Sequence, residues 1–516
     1  MTASDTSKTV PGAVGTAEPE RATLRRNLSV WQAVGLSIAL MAPSMAANIN
    51  PQPSTTFVGR AVPLSFLLAG VGVLFVSYTF VRLCQYYQHS GSVYAFVGLT
   101  LGARTGVVSG LALFATYVFY GVVTSSAAGL LGSAFLDGIG VWHNPPEWGK
   151  FVIAGAALLG ALWLTIMPAR RGTTTLLVIE GLTVALILAI SVVVLVRVIG
   201  HSAPNGGSQH FTLSVFEVPK GTSTSNLFLA VVFGFLSFAG FEASSTLGEE
   251  TSHPKRDIPR AILGTAIFGG IYFTVVTAIE MMGFGTSPSG LTAFAGSNSL
   301  LGDLGSSYIG SWVGDLVSLG AAISAFGCCL ACMVGAARLL FAMNRDLVGT
   351  RGLGQVSGQG TPARAAGVVL VLMGGMIALD ALAFGAQAED TFAWSGTMGT
   401  LILLVAYILA TVGVTRLLFV QKKMPVPTWQ VIIPVIALVI LGYTIYRNVI
   451  PYPASGEPSF WFPIVAGGWI LLCVLAVLAS PGPASRLGAR LAGDEGFATG
   501  AEPGAGPARP AMGLDG

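Results

Sequence analysis

The chain has 516 residues, of which 53% are apolar and only 9% charged, and its mean hydropathy is +0.74. A soluble chain of this size carries about 25% charge, so charge this sparse along the whole length excludes an ordinary soluble protein and makes lipid the main neighbour. The net charge of +3 gives no reason to expect a nucleic-acid partner.

The first twenty residues are polar and have no apolar core, so no cleavable signal is expected there. Residues 1–27 read as a cytoplasmic tail, as does the Gly-, Ala- and Pro-rich stretch 481–516. Between them, 28–480 read as one membrane domain. About 20 apolar residues span a bilayer as a helix. Twelve such segments are predicted near 30–58, 62–84, 104–136, 149–169, 174–199, 225–248, 258–284, 308–343, 365–384, 391–420, 427–447 and 459–480. Alternating ten-residue strands, the mark of an outer-membrane barrel, do not appear.

Charge distribution tests the count. With the N-terminus inside, five of the 26 Lys and Arg fall outside: Arg60, Lys150, Arg197, Lys220 and Arg447. The rest fall inside, among them Arg25, Arg26, Arg170, Arg171, Lys255, Arg256, Lys422 and Lys423. One span too many or too few would blur this positive-inside pattern. It predicts a multi-pass protein of a bacterial-type inner membrane with both termini cytoplasmic.

Two spans are irregular. The first contains Pro43, Pro51 and Pro53, with Ser44, Asn48 and Asn50 nearby. Proline removes a backbone donor and clashes with the preceding turn, and irregular backbone at membrane depth survives only where it is buried or lines a cavity. The sixth span carries Gly234, Ser237, Gly240, Ser244 and Ser245 close together, with Glu242 near mid-membrane, where a carboxylate is costly unless paired or functional. Spans 1 and 6 each open a set of five, and spans 3 and 8 are both long. That pattern predicts two five-helix repeats of inverted topology, about 30–200 and 226–420, followed by two extra helices in 427–480. Broken helices at matching places point to a midplane binding site.

Three stretches carry a resemblance. GFLSFAGFEASSTLGEETSHPKRDIPRAI (234–262) combines a Phe/Gly-rich break, Gly-Phe-Glu and a Pro- and Arg-containing loop. HSGSVYAFVGLTLG (89–102) follows span 2, and ARLLFAMNRD (337–346) with TPARA (361–365) joins spans 8 and 9. With these motifs in this order, residues 25–480 resemble the amino acid–polyamine–organocation superfamily of permeases. Span 1 departs from the common Gly-x-Gly-Ile-Phe break: Ala42-Pro43-Ser44-Met45-Ala46 stands there.

The resemblance implies an all-α integral membrane protein of about twelve helices with the leucine-transporter-like 5+5 inverted repeat. It implies a small-molecule substrate, an amino acid or related amine, held by Ala42, Ser44, Met45 and Ala46 in span 1 and by Phe238, Ala239, Gly240 and Phe241 in span 6. Backbone N–H groups would meet a carboxylate, and freed carbonyls an ammonium.

Two carboxylates within the apolar spans are candidates for ion coupling. Glu180 lies in span 5, where some proton-coupled relatives carry a titratable residue. It reads as a proton carrier, as a buried carboxylate satisfied by backbone or hydroxyl donors, or as one near the interface. Glu242 reads as a stabiliser of the break or as part of coupling. Sodium, held by hydroxyls and carbonyls, is the alternative to protons. Asp315, Glu280 and Asp380 read as interfacial. Tyr117, Tyr120, Ser324, Trp394 and Ser395 are candidates for the pathway lining.

No P-loop appears, and no metal-ligand spacing or cofactor motif: His143, His201, His210 and His253 fall in loops, and Cys84, Cys328, Cys329, Cys332 and Cys473 sit in apolar segments as packing residues. An enzyme is not expected. A secondary carrier fits best, proton-linked or an exchanger. A non-transporting membrane sensor, a channel, or a permease for polyamines, nucleobases or inorganic cations stay open.

Overall fold

A computed structural model describes residues 29–87, 92–167, 172–204, 209–247, 251–347, 352–355, 361–479 and 482. The N-terminal tail and, apart from Gly482, the C-terminal tail therefore lie outside the described residues, as do Arg25, Arg26, Arg170 and Arg171. Among the described residues all regular structure is helical. Twelve helices are long and apolar enough to cross a membrane: Val30–Ile49, Gln52–Tyr86, Ala103–Gly138, Glu147–Ile166, Thr175–Ile199, Thr224–Leu247, Pro254–Phe284, Ser311–Asn344, Ala363–Ala383, Ala388–Val420, Thr428–Val449 and Pro458–Ala479. They are spans 1 to 12 below.

The expected boundaries fall within a few residues of these except at the junction of the first two spans, where span 2 begins at Gln52, ahead of the expected 62. The apolar part of span 1 ends at Ile49, short of residue 58. The backbone stays right-handed through Gln52–Ser54 and Thr55–Val58 until Gly59, whose φ is 53°.

The packing follows the two sets of five. Span 2 lies along span 7, span 3 along span 8, and span 4 along span 9, so each packs on its counterpart in the other set. The helices of spans 3 and 8, 36 and 37 residues long, are the longest among the described residues. This is the leucine-transporter-like 5+5 arrangement with two helices added. In spans 3 and 6, 83% of the most apolar window is buried, against 22% and 17% in spans 11 and 12. The core is therefore built around spans 3 and 6, and the added pair lies at the periphery against spans 10, 2 and 3.

Lipid supplies no hydrophobic drive between helices, so close backbone approach has to hold them. Gly234 shows how: a Cβ there would overlap the Cβ of Ala69 in span 2. Outward faces carry exposed Leu182, Val192, Val371, Val439 and Leu471, a surface suited to acyl chains. All five cysteines are buried and free.

Candidate functional site

Span 1 breaks at Ala42. The first half, Val30–Met41, ends there, and the second, Pro43–Ile49, begins at the next residue. Ala42 has φ 44° and ψ 58°, a left-handed conformation that costs a non-glycine residue about 1–2 kcal/mol. Pro43 explains the site of the break. It has no N–H to continue the ladder and sits at the first position of the new helix, where none is needed.

The donors that follow Pro43 are taken by side chains from far along the chain. The N–H of Ser44 donates to Glu180 Oε1 at 2.9 Å, and that of Met45 to Ser324 Oγ at 3.4 Å. The N–H of Ala46 returns to Ala42 O at 2.9 Å. The hydroxyls of Ser324 and Ser44 lie against the same Glu180 carboxyl. Before the break, Cys328 Sγ donates to Leu40 O at 3.2 Å, and just after it Tyr272 OH donates to Pro43 O at 3.4 Å. The left-handed residue is thus held by spans 5, 7 and 8 together.

Span 6 breaks without proline. Its first half ends at Phe238, Ala239 turns to ψ 125°, and Gly240 has φ 100°, which favours glycine. A 3-10 turn over Ala243–Leu247 follows. The Ser37 hydroxyl in span 1 accepts from the N–H of Ser244 at 3.0 Å. The two breaks meet directly: a Cβ on Gly240 would stand 2.6 Å from Leu40 Cβ. Ala42, Ser44, Met45, Ala46, Phe238, Gly240 and Phe241 are all buried, and Ala239 partly so. The two sequence-predicted halves of the site therefore come together, and both coupling candidates join them.

Glu242 follows the second break and is buried. The Tyr407 hydroxyl faces its carboxyl without completing a hydrogen bond to it, and Glu242 Oε2 and Tyr407 OH are both unpartnered. Phe80, Phe241 and Tyr407 pack edge to face around this corner, with centroids 5.6–5.9 Å apart. Among the pathway candidates, Ser324 reaches the first break. Tyr120 OH bonds Thr400 Oγ1 at 3.0 Å, and Tyr117 packs on Gly335. Ser395 is buried with an unpartnered hydroxyl, and Trp394 is half-buried.

The interfacial reading of Glu280 and Asp380 is corrected. Glu280 is fully buried with neither carboxyl oxygen hydrogen-bonded, and Asp380 is buried with Oδ2 unpartnered. The segment after span 7 folds back as two short helices, Pro288–Ala295 and Leu300–Tyr308. Both pack on span 7, and Tyr308 OH bonds Gly283 O at 3.0 Å, so distance along the span misjudged depth. In this cover, burial raises the Asp303 carboxyl above its ordinary range, countered by a 2.6 Å hydrogen bond from Ser297 Oγ.

Asn48 ties span 1 to the cover. Its Nδ2 donates to Ser44 O at 2.9 Å, and its Oδ1 accepts from Ser299 Oγ at 2.9 Å and from the N–H of Leu301 at 3.0 Å. Asn48→Ala strands those groups in a dry core and is expected to cost about 1–3 kcal/mol. The measurement is the melting temperature of the detergent-solubilised protein, which should fall by several degrees; an unchanged value would show that water takes over these bonds.

Ser37, Tyr272 and Tyr407 were not predicted from the sequence. Each is a polar tip in an apolar run, the one signal that would have marked it. No group of three or more His, Cys, Asp or Glu able to hold a metal occurs among the described residues. Two surface recesses, of about 290 Å³ beside Phe114 and Trp469 and about 490 Å³ beside Trp148 and Ile377, are lined by none of the candidate residues.

The chain is similar to described permeases. It is 26% identical over 382 residues to the branched-chain amino acid permease BcaP of Bacillus subtilis, covering 70% of this chain and 77% of that one. It is 25% identical over 334 residues to the low-affinity putrescine importer PlaP of Escherichia coli, covering 64% and 69%. With BcaP of Lactococcus lactis it shares 23% over 404 residues, covering 77% and 83%. The model of the amino acid permease family matches residues 54–481. With twelve spans, two facing breaks and this match over most of its length, the chain belongs to the amino acid permease family, within the amino acid–polyamine–organocation superfamily, and is a multi-pass membrane transporter rather than an enzyme.

Proposed function

We propose that residues 28–480 form a secondary active carrier of an amino acid or related amine, working by proton-coupled symport or exchange and alternating access in a bacterial-type inner membrane. The substrate sits between the breaks, against Ala42, Ser44, Met45 and Ala46 on one side and Phe238, Ala239, Gly240 and Phe241 on the other. One observation carries this reading: two helices from matching places in the two repeats break opposite one another, in contact at Leu40 and Gly240. Discontinuous helices at matching places in two repeats are where such transporters hold solute near the midplane. Relatives described as branched-chain amino acid permeases and as a putrescine importer support both solute classes.

Glu180 is the proposed proton carrier. It is buried, and its acceptor Oε1 joins span 5 to the first turn after the span 1 break. A change in its charge therefore acts directly on the element that must move. Glu242 is the comparison residue, with a structural role at the second break or a part in coupling. Sodium is the rival ion. The test is uptake into proteoliposomes of purified protein, screened against amino acids and amines with and without a pH gradient. At least one member of these classes is expected to enter in a saturable way; no uptake of any of them would contradict the reading.

Both termini and the segments 249–260 and 344–364 are proposed to be cytoplasmic. Ser252 is exposed, and the native cysteines are buried and give a quiet background. A cysteine at Ser252 is expected to react with an impermeant maleimide only after cells are permeabilised, whereas one at the exposed Ser202 reacts in intact cells. Labelling of Ser252→Cys from outside would reverse the topology.

A further inference from the structure

The first break has a limited set of donors, and the protein has used them. Pro43 has no N–H, Ala46 N–H bonds Ala42 O, Met45 N–H reaches Ser324 Oγ, and Ser44 N–H reaches the carboxyl of Glu180. A carboxylate of the chain thus already stands where these backbone groups would receive one. A second carboxylate brought to the same donors would displace the first or stand beside a like charge in a buried site, which disfavours the charged form of both.

At the second break the balance is reversed. Glu242 Oε2 is buried and unpartnered although the Tyr407 hydroxyl faces the carboxyl, and the single proton of that hydroxyl would still leave a carboxylate with acceptor capacity. The aromatic rings of Phe80, Phe241 and Tyr407 surround that corner, and such rings attract a desolvated cation. Among the described residues no Lys, Arg or His forms an ion pair with Glu180 or Glu242; the pairs found lie at Asp137, Lys150 and Asp257. A membrane-buried carboxyl without a protein cation either holds a proton, the part proposed for Glu180, or meets a positive partner, the part open to Glu242.

We infer that the solute is an organic amine cation without a carboxylate, its ammonium meeting Glu242 and the Tyr407 hydroxyl while Glu180 fills the place of a substrate carboxylate. This rests on the reading that the solute sits between the breaks. It narrows the class from amino acid or amine to amine alone, and makes Glu180 the residue that rejects the α-amino acid.

The experiment uses the full-length protein in proteoliposomes and reads exchange, which needs no driving gradient. Matched pairs differ only by the carboxylate: leucine and 3-methylbutylamine, ornithine and putrescine, phenylalanine and phenethylamine. At least one amine is expected to exchange, with its parent amino acid competing at least tenfold more weakly. Glu180→Ala frees the Ser44 N–H and is expected to narrow that ratio tenfold or more. Glu180→Gln keeps an acceptor on the same N–H and is expected to preserve most of the ratio, which a merely structural role would not separate from Ala. Amino acids outcompeting their amines in every pair would overturn the inference and leave the site reading intact. Exchange of neither member of any pair would overturn both. An amine preference unchanged in Glu180→Ala would overturn the role given to Glu180. If that variant does not fold, the wild-type competition decides.

Discussion

Gly240→Leu is expected to abolish uptake while the protein remains inserted and monodisperse. The cause is conformational as well as spatial. At φ 100° Gly240 occupies backbone space that a side chain enters only at a cost of about 1–3 kcal/mol. A Cβ there would stand 2.6 Å from Leu40 Cβ and 3.1 Å from the Leu40 carbonyl carbon, so the leucine must push the two breaks apart. Overpacking of this kind adds about 1–3 kcal/mol, and every 1.4 kcal/mol is about tenfold. If both costs fall on the transport cycle, uptake should fall about thirtyfold or more. Gly264→Ala in span 7 is the control, since nothing lies within 4 Å of a Cβ there, and it should transport normally. Normal uptake by a well-expressed Gly240→Leu protein would move the site elsewhere.

The second large effect is on coupling. Glu180→Gln should lose accumulation driven by a pH gradient while retaining exchange. Glutamine keeps the size and the acceptor oxygen that receives the Ser44 N–H, but it does not bind and release a proton in this range. Exchange moves no net proton, so it survives. A structural Glu242 gives a different outcome: Glu242→Gln should lower the folded yield, or both modes of transport, without separating them. The two variants are compared by counterflow and by gradient-driven uptake in the same vesicle preparation. Full pH-driven accumulation by Glu180→Gln would remove Glu180 from the mechanism.

The architecture was legible because lipid imposes it. A backbone that must satisfy its own hydrogen bonds at membrane depth folds as apolar helices, and Lys/Arg asymmetry fixed the count independently. Pro43 marked the first break, and the small residues around Gly240 marked the second. The partners at the breaks were not legible. Ser44 and Glu180 are 136 positions apart and Ser37 and Ser244 are 207 apart, and a single sequence does not say which polar tips meet. Glu280 was misjudged for a related reason: the helices Pro288–Ala295 and Leu300–Tyr308 read as loop, yet they pack on the end of span 7 that its position suggested was wet. Glu180 stood out as a lone carboxylate in an apolar run, but its attachment to the first break is a property of the fold.

The most direct test of a secondary active carrier is accumulation by the purified protein in sodium-free proteoliposomes, acidic outside, with an amine or amino acid that it exchanges. The account predicts that solute rises inside above its external concentration and falls back when a protonophore collapses the pH gradient. Solute that only equilibrates, or accumulation that requires sodium and ignores pH, would contradict it.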